Sequence, residues 1–136
     1  LYSKITPQIL IEPFINDIRE LPIDYKFWVF NGRVEFVQVD VDREHDHKRS
    51  FYDREWRKMP FSIGHPSIVE EIPEPKSLKI MIDAAELLSE NISFVRVDFY
   101  EVSGKPLFGE MTFYPASGIK QFDPPEYDKI IGNMWK

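Results

Sequence analysis

Asn31-Gly32 stands between two runs rich in aromatic and β-branched residues, Tyr25–Phe30 and Arg33–Val39, and commits this part of the chain to a β-hairpin. Both central positions of a two-residue hairpin turn need φ > 0, which Asn tolerates and Gly adopts freely. A turn of this length pairs Phe30 with Arg33 and Asp24 with Val39. Side chains alternate along a strand, so Asp24, Lys26 and Trp28 then share one face.

Other segments fill in around that hairpin. Gln8–Phe14 reads as an apolar strand that Pro13 interrupts or places at an edge. Asn16–Pro22 reads as a polar turn region, Asp40–Lys58 as a long charged stretch, and Met59–Pro75 as a Pro- and Gly-rich loop. Leu78, Met81, Ile82, Ala85 and Leu88 recur at helical spacing, which predicts a helix over Ser77–Glu90 with Ser77 capping its start. Ser93–Tyr100 and Lys105–Phe113 predict a second hairpin, and Pro124-Pro125 opens a short terminal helix over Glu126–Met134. Hairpin, loop, helix and hairpin in this order describe an α+β fold with an antiparallel sheet and packed helices.

Composition narrows the function classes. The chain has 136 residues, 43% hydrophobic and 15% aromatic, enough for a core without disulfides, and it contains no cysteine. Thiolate metal sites and Cys nucleophiles are therefore excluded, and the missing disulfides fit a cytoplasmic protein. A net charge of −6 argues against a general nucleic-acid or anionic-membrane surface but leaves room for a local cationic site. Apolar runs such as Phe27–Phe30 are far too short for membrane insertion. The chain opens on Leu1 rather than Met and runs quickly into a strand-like stretch, so it reads as part of a longer protein.

The second hairpin carries the candidate chemistry. A three-residue loop, Val102-Ser103-Gly104, pairs Glu101 with Lys105, Asp98 with Phe108 and Arg96 with Glu110. Arg96, Asp98, Glu110 and Thr112 then converge on one side, whereas a two-residue loop puts Glu110 on the other. Two converging carboxylates beside Arg and Thr suit Mg²⁺, which takes hard oxygen ligands and often only one or two carboxylates. The same pattern equally describes an Arg96–Glu110 ion pair on a solvated sheet face. Elsewhere, Lys48 and Arg49, with Lys26 and Arg43, offer cations for phosphate. His45-x-His47 beside Asp42 and Asp46 allows zinc only if the segment is a strand. Ser117-Gly118 could line an acceptor pocket or be plain loop. The sequence has no Walker loop, dinucleotide fingerprint or nucleophile elbow.

Val95-Arg96-Val97-Asp98-Phe99-Tyr100, followed by Phe108-Gly109-Glu110-Met111-Thr112-Phe113-Tyr114-Pro115, resembles the metal-binding segment of ATP-grasp ligases such as D-alanine–D-alanine ligase. Asp24–Phe27, Gln38–Asp40, Asp46–Asp53 and Gly109–Pro115 are similar, in order, to the TupA-like ATP-grasp family. That family is associated with bacterial polysaccharide and teichuronopeptide synthesis and is often described as glycosyltransferase-like. The resemblance implies the C-terminal subdomain of an ATP-grasp fold, with the N-terminal substrate and lid subdomains outside this chain. It implies Mg²⁺, as one or two ions, on Asp98 and Glu110, with Thr112 standing where the family at large has Asn.

Arg96 would stabilise the γ-phosphoryl group. Glu12, Pro13, Phe14 and Ile15 would form the hinge that holds adenine, and Asp24 would meet the ribose. Lys26, His47, Lys48 and Arg49 would lie near the triphosphate. The implied reaction joins a small-molecule or polymer-linked carboxylate to an amine through an acylphosphate, with the isolated chain inactive. The competing readings are a non-catalytic nucleotide-binding or assembly module and a glycosyltransferase, though the sequence shows no sugar-nucleotide metal motif.

Overall fold

A computed structural model of the protein describes residues 6–9, 11, 15 and 22–135. Five antiparallel strands form one sheet in the order β3-β2-β1-β4-β5. They are β1 Asp24–Phe30, β2 Arg33–Val41, β3 Lys48–Tyr52, β4 Phe94–Val102 and β5 Lys105–Thr112, with α1 Leu78–Leu88 between β3 and β4. After β5 come a short 3₁₀ segment, Pro115–Gly118, and α2 Glu126–Gly132. The α+β class and the antiparallel sheet are as the sequence predicts. Gln8, Ile9, Ile11 and Ile15 lie in no strand, and Glu12, Pro13 and Phe14 fall outside the described residues.

All seven residues of β1 are buried, because both faces of the sheet are covered. On one face α1 and Ile68 pack against Phe27, Val37, Val95, Val97 and their neighbours. On the other, Trp28, Phe30, Phe36, Phe51 and Phe94 meet Phe61, Phe122 and Ile131. Most aromatic pairs there are edge-on or tilted, at centroid distances such as 5.6 Å for Phe36–Phe61 and 4.8 Å for Phe30–Phe94, and Trp28 stacks on Phe36. These are the arrangements their quadrupoles favour.

Two β-bulges correct the pairing expected from the turns. In the first hairpin Phe30 pairs with Arg33 as predicted, but Val29 faces Val34 and Trp28 faces Phe36. Glu35 is the extra residue, and Asp24 consequently pairs with Asp40 rather than Val39. Extra residues of this kind shift register by one and turn the following side chains to the opposite face. The bulge is pinned from outside the sheet. The Val34 amide donates to Glu86 Oε1 at 3.0 Å, and Arg54 donates to the Val34 carbonyl at 2.9 Å and to Glu86 itself.

In the second hairpin the turn has two residues, not three. Val102 pairs with Lys105, and Ser103 and Gly104 both adopt positive φ. By that turn alone Glu110 would face away from Asp98. Phe99 pairs with Phe108 but Val97 pairs with Met111, so Gly109 and Glu110 together oppose Asp98. The bulge returns Glu110 and Thr112 to the face of Arg96 and Asp98. The expected convergence is therefore present, though for a different reason. Leu107 moves the other way, to the face of Tyr100.

Three further segments depart from expectation. The charged stretch contains β3, which the sequence pattern hides because its polar and apolar residues are not strictly alternating. Ser77 occupies the N-cap of α1 without capping it; its hydroxyl and amide both donate to Glu101, at 2.6 and 2.7 Å. The terminal helix is shorter than predicted, ending at Gly132.

Glu86→Ala removes the partner of the bulge amide, and a urea melt should show a loss of about 1–3 kcal/mol, the cost of an unsatisfied buried donor. A second expectation concerns alkaline pH. Burial, with the Glu101 charge adding, pushes the Tyr25 hydroxyl from 10.0 up to about 12. The folded state then holds a proton that the unfolded chain has lost, so this stabilisation is complete below about pH 10. It is lost as pH rises through 12, and urea midpoints at pH 9, 10.5 and 12 should fall more steeply than those of Tyr25→Phe.

Candidate functional site

The sheet face under Phe61 and Phe122 divides along the strand direction. Its aromatic half ends at Trp28, whose Nε1 donates to Gln38 Oε1 at 3.2 Å. Beyond Trp28 the face is polar: Asp24 and Lys26 on β1, Gln38 and Asp40 on β2, Arg49 on β3, Arg96 and Asp98 on β4, Glu110 and Thr112 on β5. Cross-strand register brings them together, since Lys26 faces both Gln38 and Asp98, and Asp24 faces Asp40.

Lys26 is the centre of this network. Its ammonium donates to Asp24 at 2.5 Å and to Asp98 at 2.8 Å, with the lysine side chain 11% exposed. Arg43 reaches the same Asp24 oxygen at 2.9 Å. Arg96 grips Asp98 as a fork, Nε to Oδ1 and Nη2 to Oδ2, both at 2.7 Å. The same Nη2 lies 3.1 Å from the Thr112 hydroxyl and 3.4 Å from Glu110. Arg49 makes a second fork on Asp40 at 2.6 and 3.1 Å, and Gln38 adds a bond at 2.9 Å.

The two facing carboxylates differ in protonation behaviour. Burial pushes the Asp24 carboxyl up, against the attraction of Lys26 and Arg43, and the Asp98 charge adds to the rise. Its Oδ1 is buried with no hydrogen-bond partner. Burial acts on Asp40 as well, but the Arg49 fork, the Gln38 amide and the Lys26 charge outweigh it and hold Asp40 below the usual carboxylate range. A bidentate guanidinium satisfies both oxygens of one acid; a shared ammonium leaves the other half-solvated by protein.

The remaining predicted residues scatter. His47 lies 3.3 Å from Asp40 and stacks on His65, ring centroids 3.8 Å apart. Burial first, then the charges of Arg49 and His47, lower the His65 pKa, so that ring is neutral near pH 7. Lys48 points away from Arg49 along the strand and pairs with Asp46 at 3.0 Å. Ile15 is partly exposed outside any strand. His45 sits in an exposed turn, and no group of three or more His, Asp or Glu among the described residues could hold a metal unaided. The zinc alternative has no ligand set there.

Asp40, Gln38 and His65 are site residues that the sequence reading missed. Gln38 and Asp40 were hidden by the Glu35 bulge, which reverses their face. His65 comes from an irregular loop and carries no local signal.

The donor set at Asp98, Glu110 and Thr112 fits Mg²⁺ chemically. It consists of hard oxygens, with two carboxylates, the number Mg²⁺ takes when phosphate oxygens and water complete its shell. Both Asp98 oxygens accept from Arg96, and one also from Lys26, so a dication bound there would share those oxygens with the two cations.

The model of the TupA-like ATPgrasp family matches residues 1–136, the length of the chain. The protein belongs to this family. The general chemistry of ATP-grasp proteins is ATP-dependent and ligase-like. No curated protein and no solved structure matches the chain. Among the described residues of this TupA-like ATP-grasp chain, no helix is long and apolar enough to cross a membrane.

Removing the central cation tests the network directly. Lys26→Met leaves Asp24 and Asp98 buried with reduced compensation, and breaking such a buried pair costs about 3–5 kcal/mol. Urea denaturation should show that loss, and the double variant Lys26→Met/Asp24→Asn should recover part of it.

Proposed function

We propose that the polar half of the sheet binds Mg²⁺–ATP for a carboxylate–amine ligase working through an acylphosphate. The process we assign is bacterial cell-surface polysaccharide or teichuronopeptide biosynthesis, in the cytoplasm. The observation that carries this reading is the Arg96 fork on Asp98, with Thr112 and Glu110 within reach of the same guanidinium nitrogen. It joins a candidate metal carboxylate to a fixed cation, the two elements that phosphoryl transfer needs in register.

In this reading Asp98 and Glu110 hold the metal, with Thr112 supplying an oxygen where the family at large has Asn. Bound Mg²⁺ supplies charge neutralisation for the phosphates. Arg96 stabilises charge on the γ-phosphoryl group as a substrate carboxylate oxygen bonds to phosphorus and the bond to ADP breaks. An amine then attacks the acyl carbon and phosphate leaves, giving an amide and releasing the amine proton. Lys26, Arg49 and His47 border the triphosphate, and the unpartnered Asp24 Oδ1 is an acceptor for a ribose hydroxyl. Adenine is held by Glu12, Pro13, Phe14 and Ile15. The acid and amine are bound chiefly by parts of the fold outside this chain.

A second reading has its own support. The pairing of Asp98 with both Arg96 and Lys26 is also what a purely structural network would show, as in a non-catalytic nucleotide-binding or assembly module.

Calorimetric titration with Mg²⁺ and a non-hydrolysable ATP analogue separates the two. Asp98→Asn/Glu110→Gln should weaken Mg²⁺-dependent binding at least tenfold, while the fold survives by circular dichroism. Undiminished binding by that variant would remove the metal role of both carboxylates.

A further inference from the structure

Two neighbouring cavities beneath the Pro115–Gly118 segment share part of their lining; Arg49 and Arg96, given phosphate roles above, stand on the wall of one of them, and the rest of the lining has no role there. One, of about 200 Å³, is bordered by Gln38, Arg49, His65, Arg96, Ala116 and Lys120. The other, of about 290 Å³, is walled by Phe30, Phe94, Phe113, Tyr114, Ile131 and Trp135. Trp28, Ile63, Pro115 and Lys120 line both. We propose that they form one binding site for a small carboxylic acid with an apolar ring body, the carboxylate against Lys120 and the ring among the aromatics.

Charge complementarity selects the head group. The smaller cavity has three cations in its wall and no carboxylate. Arg49 is committed to Asp40 and the Ile63 carbonyl. Lys120 is different: among the described residues it forms no ion pair, and it is exposed at the junction of the two cavities. Its ammonium packs beside Gly64, 3.4 Å from where a Cβ there would stand. Arg96 Nη1, on the same wall, donates to nothing among the described residues.

The larger cavity selects the body. An apolar cavity of about 150 Å³ suffices for a benzene ring, and this one has room for a ring and a short linker. Asp128, its one acid, is occupied in accepting the Phe122 amide at 3.1 Å. Backbone strain marks the roof. Ala116 and Ser117 hold φ of 49° and 57°, left-handed values that cost about 1–2 kcal/mol each in residues other than glycine. Such strain collects at ligand clamps. The site goes beyond the nucleotide reading and stands without it.

Tryptophan emission provides the test, because Trp28 and Trp135 line the cavity while Trp56 packs on Tyr52 across the sheet. The chain is titrated, without nucleotide or Mg²⁺, with 3-phenylpropionate, 3-phenylpropan-1-ol and propionate. A saturable emission change with the acid, at least tenfold tighter than with the alcohol or with propionate, is expected. Lys120→Gln should weaken the acid at least fivefold and leave the alcohol unchanged, and Lys120→Arg should restore the difference. Lys120 is exposed, so neither variant threatens the fold. Equal affinity for acid and alcohol, an unaltered acid affinity in Lys120→Gln, or no saturable change would each overturn the proposal. Mg²⁺–ATP binding, measured separately, bears on neither result.

Discussion

The gathering of the outer strands' polar residues around the middle of this sheet depends on two extra backbone residues. A β-strand gives its side chains only two directions, and the turn at each hairpin decides which residues share one. With the turns as they are and no bulges, Gln38 and Asp40 would face α1, and Glu110 would face away from Asp98. Each would then put a carboxylate into an apolar layer or into solvent. One bulge at Glu35 and one at Gly109-Glu110 reverse both outcomes. Gly109 suits its place, since a Cβ there would stand 3.1 Å from the Asp98 carbonyl oxygen. The first bulge is held by Glu86 of α1, which ties the helix on one face to the carboxylates on the other.

Once assembled, the cluster must solve an electrostatic problem. Asp24 and Asp40 sit directly opposite each other on neighbouring strands, an arrangement that like charges disfavour. Four carboxylates, Asp24, Asp40, Asp98 and Glu110, are matched by four cations, Lys26, Arg43, Arg49 and Arg96. Burial without matching would drive the acids to take up protons. The matching is uneven. Arg49 and Arg96 hold Asp40 and Asp98 by two bonds each, whereas Asp24 shares one oxygen between Lys26 and Arg43 and leaves the other unpartnered. Asp24 is therefore the acid with least to lose by gaining a new donor.

Local chemistry made much of this legible. Asn31-Gly32 located the first hairpin to the residue, the 3.6-residue period located α1, and alternation in β4 set Arg96 and Asp98 on one face. The bulges were not legible, because nothing in Val34-Glu35-Phe36 announces an extra residue. What stabilises that bulge is Glu86, some fifty positions away in sequence, and tertiary contacts of this kind leave no local trace. The loop at Val102-Ser103-Gly104 shows how a correct face assignment can rest on the wrong turn. A three-residue turn without a bulge and a two-residue turn with one give Glu110 the same side. Lys48 and Arg49 show the converse: adjacent cations look equivalent in a charged stretch, yet strand geometry sends one to Asp40 and the other to Asp46.

The boundary at Trp28 explains why one sheet face can host both a polar cluster and an aromatic cavity. Its ring stacks on Phe36 at 5.3 Å and meets Phe94 and Phe122, while its N–H faces Gln38 and so begins the hydrogen-bonded chain to Asp40 and Arg49. An indole satisfies both media, apolar on its faces and a donor at its edge. A smaller aliphatic residue here would leave Gln38 without that donor and open the aromatic layer to water. Water entering there would raise the local dielectric around Asp40 and Arg49, weakening their attraction while relieving the burial penalty on both charges. The apolar half of the face thus sets the strength of the electrostatics in the polar half.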